Sequence, residues 1–240
     1  MNCRMATIGL CVYCGVTGPV TDDHIPPKNL FAKDDRKNLI TVPSCDDHNG
    51  GESGDDEYFR RSIVVRTDAS RHPAAQAVFP AVQRSMKRPE AQGFAQDYVD
   101  SLRLMDVVTP TGIFVGRTFT NMLDPRRLGR VAARTVRGLF FVESGELLPR
   151  DYLAVAYPVE VILQAPTASL VELVEHGRAL TRKRKSRVLG SNVFRYWFAR
   201  HEKDSSTSLW YFQFYNWVEY LGVTVASSRF PDGHDGFGFP

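Results

Sequence analysis

The sequence predicts an α+β protein in two parts: a small module over residues 1–65 and a larger mixed α+β domain over 66–240. Three observations predict this division. All four cysteines, Cys3, Cys11, Cys14 and Cys45, fall in the first fifth of the chain. Residues 11–61 are rich in Cys, Asp, Gly and Pro and lack long apolar periodicity, the texture of a unit held by a metal rather than by a core. From about residue 75 onward, helical and strand-like patterns alternate.

The chain has 240 residues, 43% hydrophobic and 24% charged, an ordinary balance for a globular protein with a real core. No apolar run approaches the roughly 20 residues needed to cross a bilayer. The opening, Met1-Asn2-Cys3-Arg4-Met5-Ala6, lacks the apolar stretch and small-residue cleavage site of a signal peptide, so a cytoplasmic location and no membrane partner are expected. A formal net charge of +3 is too slight to demand a polyanionic partner.

The elements follow in order. Asp55-Asp56-Glu57-Tyr58-Phe59-Arg60-Arg61 reads as a helix start, with acids in the first turn and Ser53 as a cap. Residues 105–119 are β-branched and aromatic around Pro110-Thr111-Gly112, which predicts a hairpin. Asp124-Pro125 opens a helix over 126–140 as N-cap and first helical residue. One side of that helix carries Leu128, Val131, Ala132, Thr135, Val136 and Leu139. The other carries Arg126, Arg130, Arg134 and Arg137, either a solvated stripe or a track for phosphates. Residues 152–164 read as a strand and 167–180 as a helix. The aromatic stretches 193–200 and 209–225 read as strands around a turn at Lys203-Asp204-Ser205-Ser206. Their rings fit core packing better than base stacking, because they alternate at strand spacing. The tail, 227–240, is expected to be irregular.

The sharpest signal is metal spacing. Cys11-Val12-Tyr13-Cys14-Gly15 is a Cys-x-x-Cys knuckle, and thirty residues later comes Cys45-Asp46-Asp47-His48. Two such pairs can meet at one tetrahedral Zn²⁺ with three thiolates and one imidazole, closing a loop that a short sequence could not otherwise hold. A redox Cys-x-x-Cys would want a βαβ context that residues 1–20 do not supply. Cys3 is left as a spare thiol.

Between and after the knuckles lie Asp23-His24-Ile25-Pro26-Pro27, Asn38-Leu39-Ile40 and, directly behind His48, Asn49. In this order the motifs resemble the zinc-bearing branch of the HNH endonucleases, of ββα-metal or His-Me-finger fold. The resemblance covers about residues 11–61. It implies that His24 is the general base that activates water and that Asn38 holds the loop bearing it. It also implies that Asp23 and Asn49 are ligands of a catalytic Mg²⁺ or Mn²⁺, with Cys11, Cys14, Cys45 and His48 on structural zinc. The chain departs from the family pattern in having His48 where Cys is usual, Asn49 rather than His behind it, and a longer stretch from Asn38 to Cys45. A shifted register would make His48 the third signature residue and leave zinc with three ligands.

The chemistry is coherent in its own terms. Phosphodiester hydrolysis needs an attacking water, a cation on the phosphate and relief of the leaving oxygen. An imidazole can take a proton near neutrality, and in an extended strand adjacent Asp and His side chains point to opposite faces. Oxygen ligands suit Mg²⁺ or Mn²⁺. Asp55, Asp56 and Glu57 either add a metal contact or simply favour a helix N-terminus. The run Arg182, Lys183, Arg184, Lys185 with Arg187 is the densest basic cluster, either a phosphate contact or a solvated loop. His72, His176, His201 and His234 have no partnered pattern.

The expectation is therefore an endonuclease that hydrolyses phosphodiester bonds, with double-stranded DNA as its substrate. Such modules occur in restriction, homing, phage-packaging and anti-phage defence proteins. The alternatives are a zinc-knuckle module that grips nucleic acid or protein without cutting, and a nuclease that works only with a partner protein; a protein partner or a homo-oligomer is left open. Residues 66–240 would position substrate, sense a signal or mediate assembly.

Overall fold

The computed structural model describes residues 7–51, 53–88, 92–109, 111–120, 123–164 and 167–229. Cys3, Pro110, His234 and most of the expected irregular tail lie outside them. The N-terminal part is an antiparallel sheet in the order β1–β2–β3, made of β1 (Thr7–Leu10), β2 (Thr17–Ile25) and β3 (Ile40–Ser44). A four-residue helix, α1 (Asp46–Asn49), follows β3 directly, and α2 (Ser53–Val64) comes next. The register across β2 and β3 sets Asp23 opposite Val42 and His24 opposite Thr41.

The chain then forms α3 (Pro73–Met86) and α4 (Gln92–Ser101), for which the sequence pattern gave no signal. His72 caps α3 by accepting a hydrogen bond from the Ala74 N–H, a role not read from the sequence. The expected hairpin is present as β4 (Arg103–Val108) and β5 (Phe114–Thr120), with Gly112 in the left-handed region at φ 85°.

The expected helix is α5 (Pro125–Ser144). The Asp124 carboxylate accepts from the Arg126 and Arg127 N–H groups, and Gly145 ends the helix at φ 75°. Its surroundings differ from the amphipathic expectation. Arg134 and Arg137 are 2% and 3% exposed, as buried as the apolar face. The reason is that α5 is covered on both sides. One side packs on β6 (Tyr152–Pro158) and β10 (Val218–Ala226), and the other meets α2 and β2. At Gly138 a Cβ would lie 1.7 Å from Ile25 Cδ1, so only glycine lets helix and strand approach this closely.

The second sheet is five-stranded and antiparallel in the order β6–β10–β9–β8–β7, with β7 (Arg187–Leu189), β8 (Phe194–His201) and β9 (Asp204–Phe214). The expected strand 152–164 stops at Pro158 and turns into α6 (Val159–Ile162). The expected strand 209–225 is two strands joined at Tyr215 and Asn216. Both residues have positive φ, 50° and 69°, the pair of values that a tight hairpin of primed type needs. The polar turn also moves, to Glu202-Lys203, and Asp204 begins β9.

Side chains alternate across β9 as a pleated strand dictates. Trp210, Phe212 and Phe214 enter the main core, while Tyr211 joins Trp197, Val174 and Leu221 beneath α7 (Ala168–Lys183). The main core is continuous from Cys11, Ile25 and Phe59 through α5 to Phe214 and Tyr220, so residues on both sides of position 65 share it.

Candidate metal centre and the acid–histidine strand

Two local folds bring the four ligand candidates together. In the first knuckle the Gly15 N–H donates to the Cys11 carbonyl, and Gly15 takes φ 68°, which turns Cys14 back beneath Cys11. In the second, α1 begins immediately after Cys45, so Cys45 and His48 lie one turn apart. The His48 and Asn49 N–H groups both donate to the Cys45 carbonyl. The Val12 N–H donates to the Pro43 carbonyl at 3.0 Å and ties one knuckle to the strand leading into the other.

His48 Nδ1 lies 3.1 Å from Cys45 Sγ and 3.9 Å from Cys11 Sγ. The ligand atoms of Cys11, Cys14, Cys45 and His48 all fall within 4.8 Å of one another. The ligand-to-ligand edge of a zinc tetrahedron is about 3.3–3.8 Å from its bond lengths, so a small closure seats the ion. Three soft sulfurs and one imidazole are the donor set zinc takes. Burial pushes the Cys11 thiol up, yet the backbone groups of Cys45, Cys14 and Tyr13 outweigh it and hold it below its ordinary value. Burial, then the adjacent Cys11 and Cys14, push Cys45 up to about 11, with the His48 backbone N–H opposing. Among the described residues this is the one cluster of three or more His, Cys, Asp or Glu donors able to share an ion.

Asp23 and His24 lie in β2 and face opposite ways, as expected. The Asp23 carboxylate turns inward and is 5% exposed. Its Oδ2 accepts from the Tyr13 hydroxyl at 2.8 Å, and the Arg134 guanidinium stands 3.9 Å away. Burial pushes this carboxyl above its usual range, opposed by Arg134 and by the Tyr13 hydroxyl. His24 is half-buried on the other face. Burial, then the Lys28 ammonium, hold its imidazole below the ordinary value.

Asn49 reaches back to the same strand. Its amide donates to Thr21 Oγ1 at 2.8 Å and to the Asp22 carbonyl at 3.3 Å. Thr21 and Asp23, two residues apart in β2, share a face, so Asn49 docks on the strand that carries the acid–histidine pair. Asp23 and Asn49 are oxygen donors of the kind a hard divalent cation takes. Asn38 sits exposed at φ 59° in the turn before β3, and its side chain makes no hydrogen bond to a described residue.

Asp55 and Asp56 of α2 face α5 rather than an ion, and Glu57 pairs with Arg60 and Arg61 of its own helix. Asp55 pairs with Arg127 and Arg130, each at 2.6 Å, and Asp56 pairs with Arg134. Burial pushes Asp56 up to about 6, with Arg134 opposing and Asp23 adding to the rise. Arg134 also donates to the His48 carbonyl at 3.4 Å, and Arg137 to the Tyr13 carbonyl at 3.1 Å. Arg134 and Arg137 therefore form an internal brace under both knuckles, while Arg126 is exposed and Arg130 is partly exposed beside Asp55. Tyr13, Asp56, Arg134 and Arg137 were missed as site residues. The available signal was that Gly129, Ala132, Ala133 and Gly138 interleave the arginines, as on a helix packed on more than one side.

The basic cluster is exposed along its length. Arg182 and Lys183 end α7, Arg184 donates to the Phe198 carbonyl at 3.1 Å, and Arg187 lies 3.5 Å from Glu143. No described helix is long and apolar enough to cross a membrane. No protein family, curated protein or solved structure matches the chain.

Proposed function

We propose that this chain is a metal-dependent endonuclease of the HNH type, hydrolysing phosphodiester bonds of nucleic acid, with double-stranded DNA as its substrate. The observation that carries the reading is the docking of Asn49, the residue behind the last zinc-ligand candidate, on the strand of Asp23 and His24. In this reading His24 takes the proton of the attacking water, and Asn38 shapes the turn leading to β3 opposite it. Asp23 and Asn49 would hold Mg²⁺ or Mn²⁺, which when bound supplies polarisation of the scissile phosphate. The zinc cluster fixes the relative placement of β2 and α1. The exposed run Arg182, Lys183, Arg184, Lys185 and Arg187 would contact backbone phosphates.

One observation favours the rival reading, a zinc-knuckle module that binds without cutting: the Asp23 carboxylate is buried and already bonded to Tyr13. A plasmid-cleavage assay on wild-type and His24→Ala protein, with Mg²⁺, Mn²⁺ or EDTA, separates the two. Cutting by wild type only, lost in EDTA, is the expected result. No cutting by either protein, with zinc still bound and DNA still retarded on a gel, would replace the nuclease with the binding module. Cutting that appears only with a co-purifying protein would add a partner.

A further inference from the structure

The face of the five-stranded sheet that α7 covers changes character along its strands. Trp197, Tyr211 and Leu221 stand opposite one another across β8, β9 and β10 and form an aromatic and apolar row. α7 lies against this row at Gly177, where a Cβ would meet Leu221 at 2.6 Å and Tyr211 at 2.9 Å. Two residues along each strand, Arg195, Gln213 and Glu219 make the next row on the same face, and it is wholly polar. Arg178, Thr181 and Arg182 of α7 overhang that polar row, and a cavity of about 430 Å³ opens between helix and sheet.

The walls of this cavity are held in place by the protein itself. The Trp197 Nε1–H donates to the Arg184 carbonyl at 3.1 Å, and the Arg184 guanidinium donates to the Phe198 carbonyl at 3.1 Å, which pins the end of α7 to β8. Both oxygens of Glu219 are engaged: Oε2 accepts from Arg178 at 3.0 Å, and Oε1 from the Gln213 amide at 3.4 Å. Arg178 also reaches Glu175 at 3.1 Å. Two other guanidinium groups have donors to spare. Arg195 gives one N–H to Asn192 Oδ1 at 2.9 Å, and its Nε is buried with no hydrogen-bond partner. Arg182 is exposed in the last turn of α7 and makes no hydrogen bond or ion pair with a described residue. A buried donor left unbonded costs free energy that a ligand oxygen would recover.

The geometry points to a binding site for a phosphoryl group in this cavity. Arg195 reaches the space from the sheet and Arg182 from the helix, and planar guanidinium donors pair with phosphate oxygens. The volume falls in the range of small-molecule pockets, more than a bare phosphate fills, so the phosphoryl group is carried on a nucleotide or a nucleic-acid strand. Trp197 and Tyr211 line the same space and give the rest of the ligand an aromatic surface beside the two guanidinium groups. The site does not rest on the nuclease reading, because none of its residues belongs to the acid–histidine strand or the zinc cluster. It shares only Arg182 with the exposed basic run.

The test uses the full chain and three probes titrated at fixed ionic strength: inorganic phosphate, a nucleoside triphosphate and a short DNA duplex. The expected result is saturable binding of at least one probe by wild type, weakened about tenfold or more by Arg195→Gln, the ratio that one charge-assisted hydrogen bond supplies. Arg182→Gln, at an exposed position, should weaken the same probe, which keeps the inference testable if Arg195→Gln fails to fold. Lys185→Gln removes one charge from the exposed run outside the cavity and should cost less than either. A loss confined to the duplex assigns the phosphoryl group to a nucleic-acid strand, and a loss confined to phosphate or triphosphate assigns it to a free ligand. The inference is overturned if wild type binds none of the three, if both arginine variants bind as tightly as wild type, or if Lys185→Gln costs as much as they do. His24→Ala should bind as wild type does, which keeps this outcome separate from that of the cleavage assay.

Discussion

Replacing Arg134 by Met removes one buried cation from between two buried carboxylates. The Arg134 side chain is 3% exposed, pairs with Asp56, approaches Asp23 at 3.9 Å and bonds the His48 carbonyl. Methionine fills the same space with comparable flexibility, so the loss is electrostatic rather than steric. Breaking a buried pair by deleting one partner costs about 3–5 kcal/mol, because the other charge is stranded. At roughly 2 °C per kcal/mol for a chain of this length, the melting temperature should fall by about 6–10 °C. The assay is a thermal melt by circular dichroism at neutral pH, on Arg134→Met and on Arg134→Met/Asp56→Asn. The second variant removes one of the two stranded charges and should recover part of the loss, a coupling of about 1–3 kcal/mol. A fall below about 2 °C, or no recovery in the double variant, would refute the view that α5 braces the knuckles through this charge.

Two further outcomes are expected. Wild-type protein should carry one equivalent of zinc by elemental analysis, and Cys14→Ser should lose it and melt earlier; full zinc retention in that variant would sink the Cys₃His assignment. Acid should weaken the Asp68 contact: burial pushes this carboxyl up, but the Arg66 guanidinium and the Ala69 N–H hold it below its ordinary value. A depressed carboxyl stabilises the fold fully above its unfolded value of about 3.9, and the contribution is lost as pH falls through the lower folded value. The side chain is 38% exposed, so screening limits the effect to about 1 kcal/mol. Wild type should therefore lose its margin over Asp68→Asn as pH falls below about 4, and parallel acid-unfolding curves for the two would count against the pairing.

What the sequence made legible was chemistry with fixed spacing. The two knuckles, the Asp124-Pro125 helix start, the helix from about residue 167 and the aromatic strands all depend on neighbours within a few residues, and the structure contains each of them. What escaped depends on partners far along the chain. Arg134 reads as a surface residue until Asp56, 78 residues earlier, is seen against it. The turn at Tyr215-Asn216 was hidden inside one long aromatic run, because left-handed Tyr and Asn lack the glycine that marks such a turn. The acids of α2 were read as a helix start, which they are, but the ion partners of Asp55 and Asp56 on α5 lie beyond local pattern. The strand beyond Pro158 failed for a similar reason: Val159, Val161 and Ile162 favour either element, and packing beside β10 selects the helix.

Charge balance beneath the first knuckle bears on the metal more directly than spacing does. Arg137 is 3% exposed, and burial pushes its guanidinium below the ordinary value; the groups that oppose this are Cys11 and Cys14. Three bare thiolates within 4.8 Å of one another would repel strongly and overshoot one guanidinium. Three thiolates and a neutral imidazole on one divalent ion carry a net charge of −1, which a single arginine offsets. A divalent ion in the Cys₃His cluster would therefore leave a charge that Arg137 can offset. Because Arg137 also holds the Tyr13 carbonyl, and Tyr13 holds Asp23, an ion bound there would be coupled through two hydrogen bonds to the acid of the acid–histidine strand.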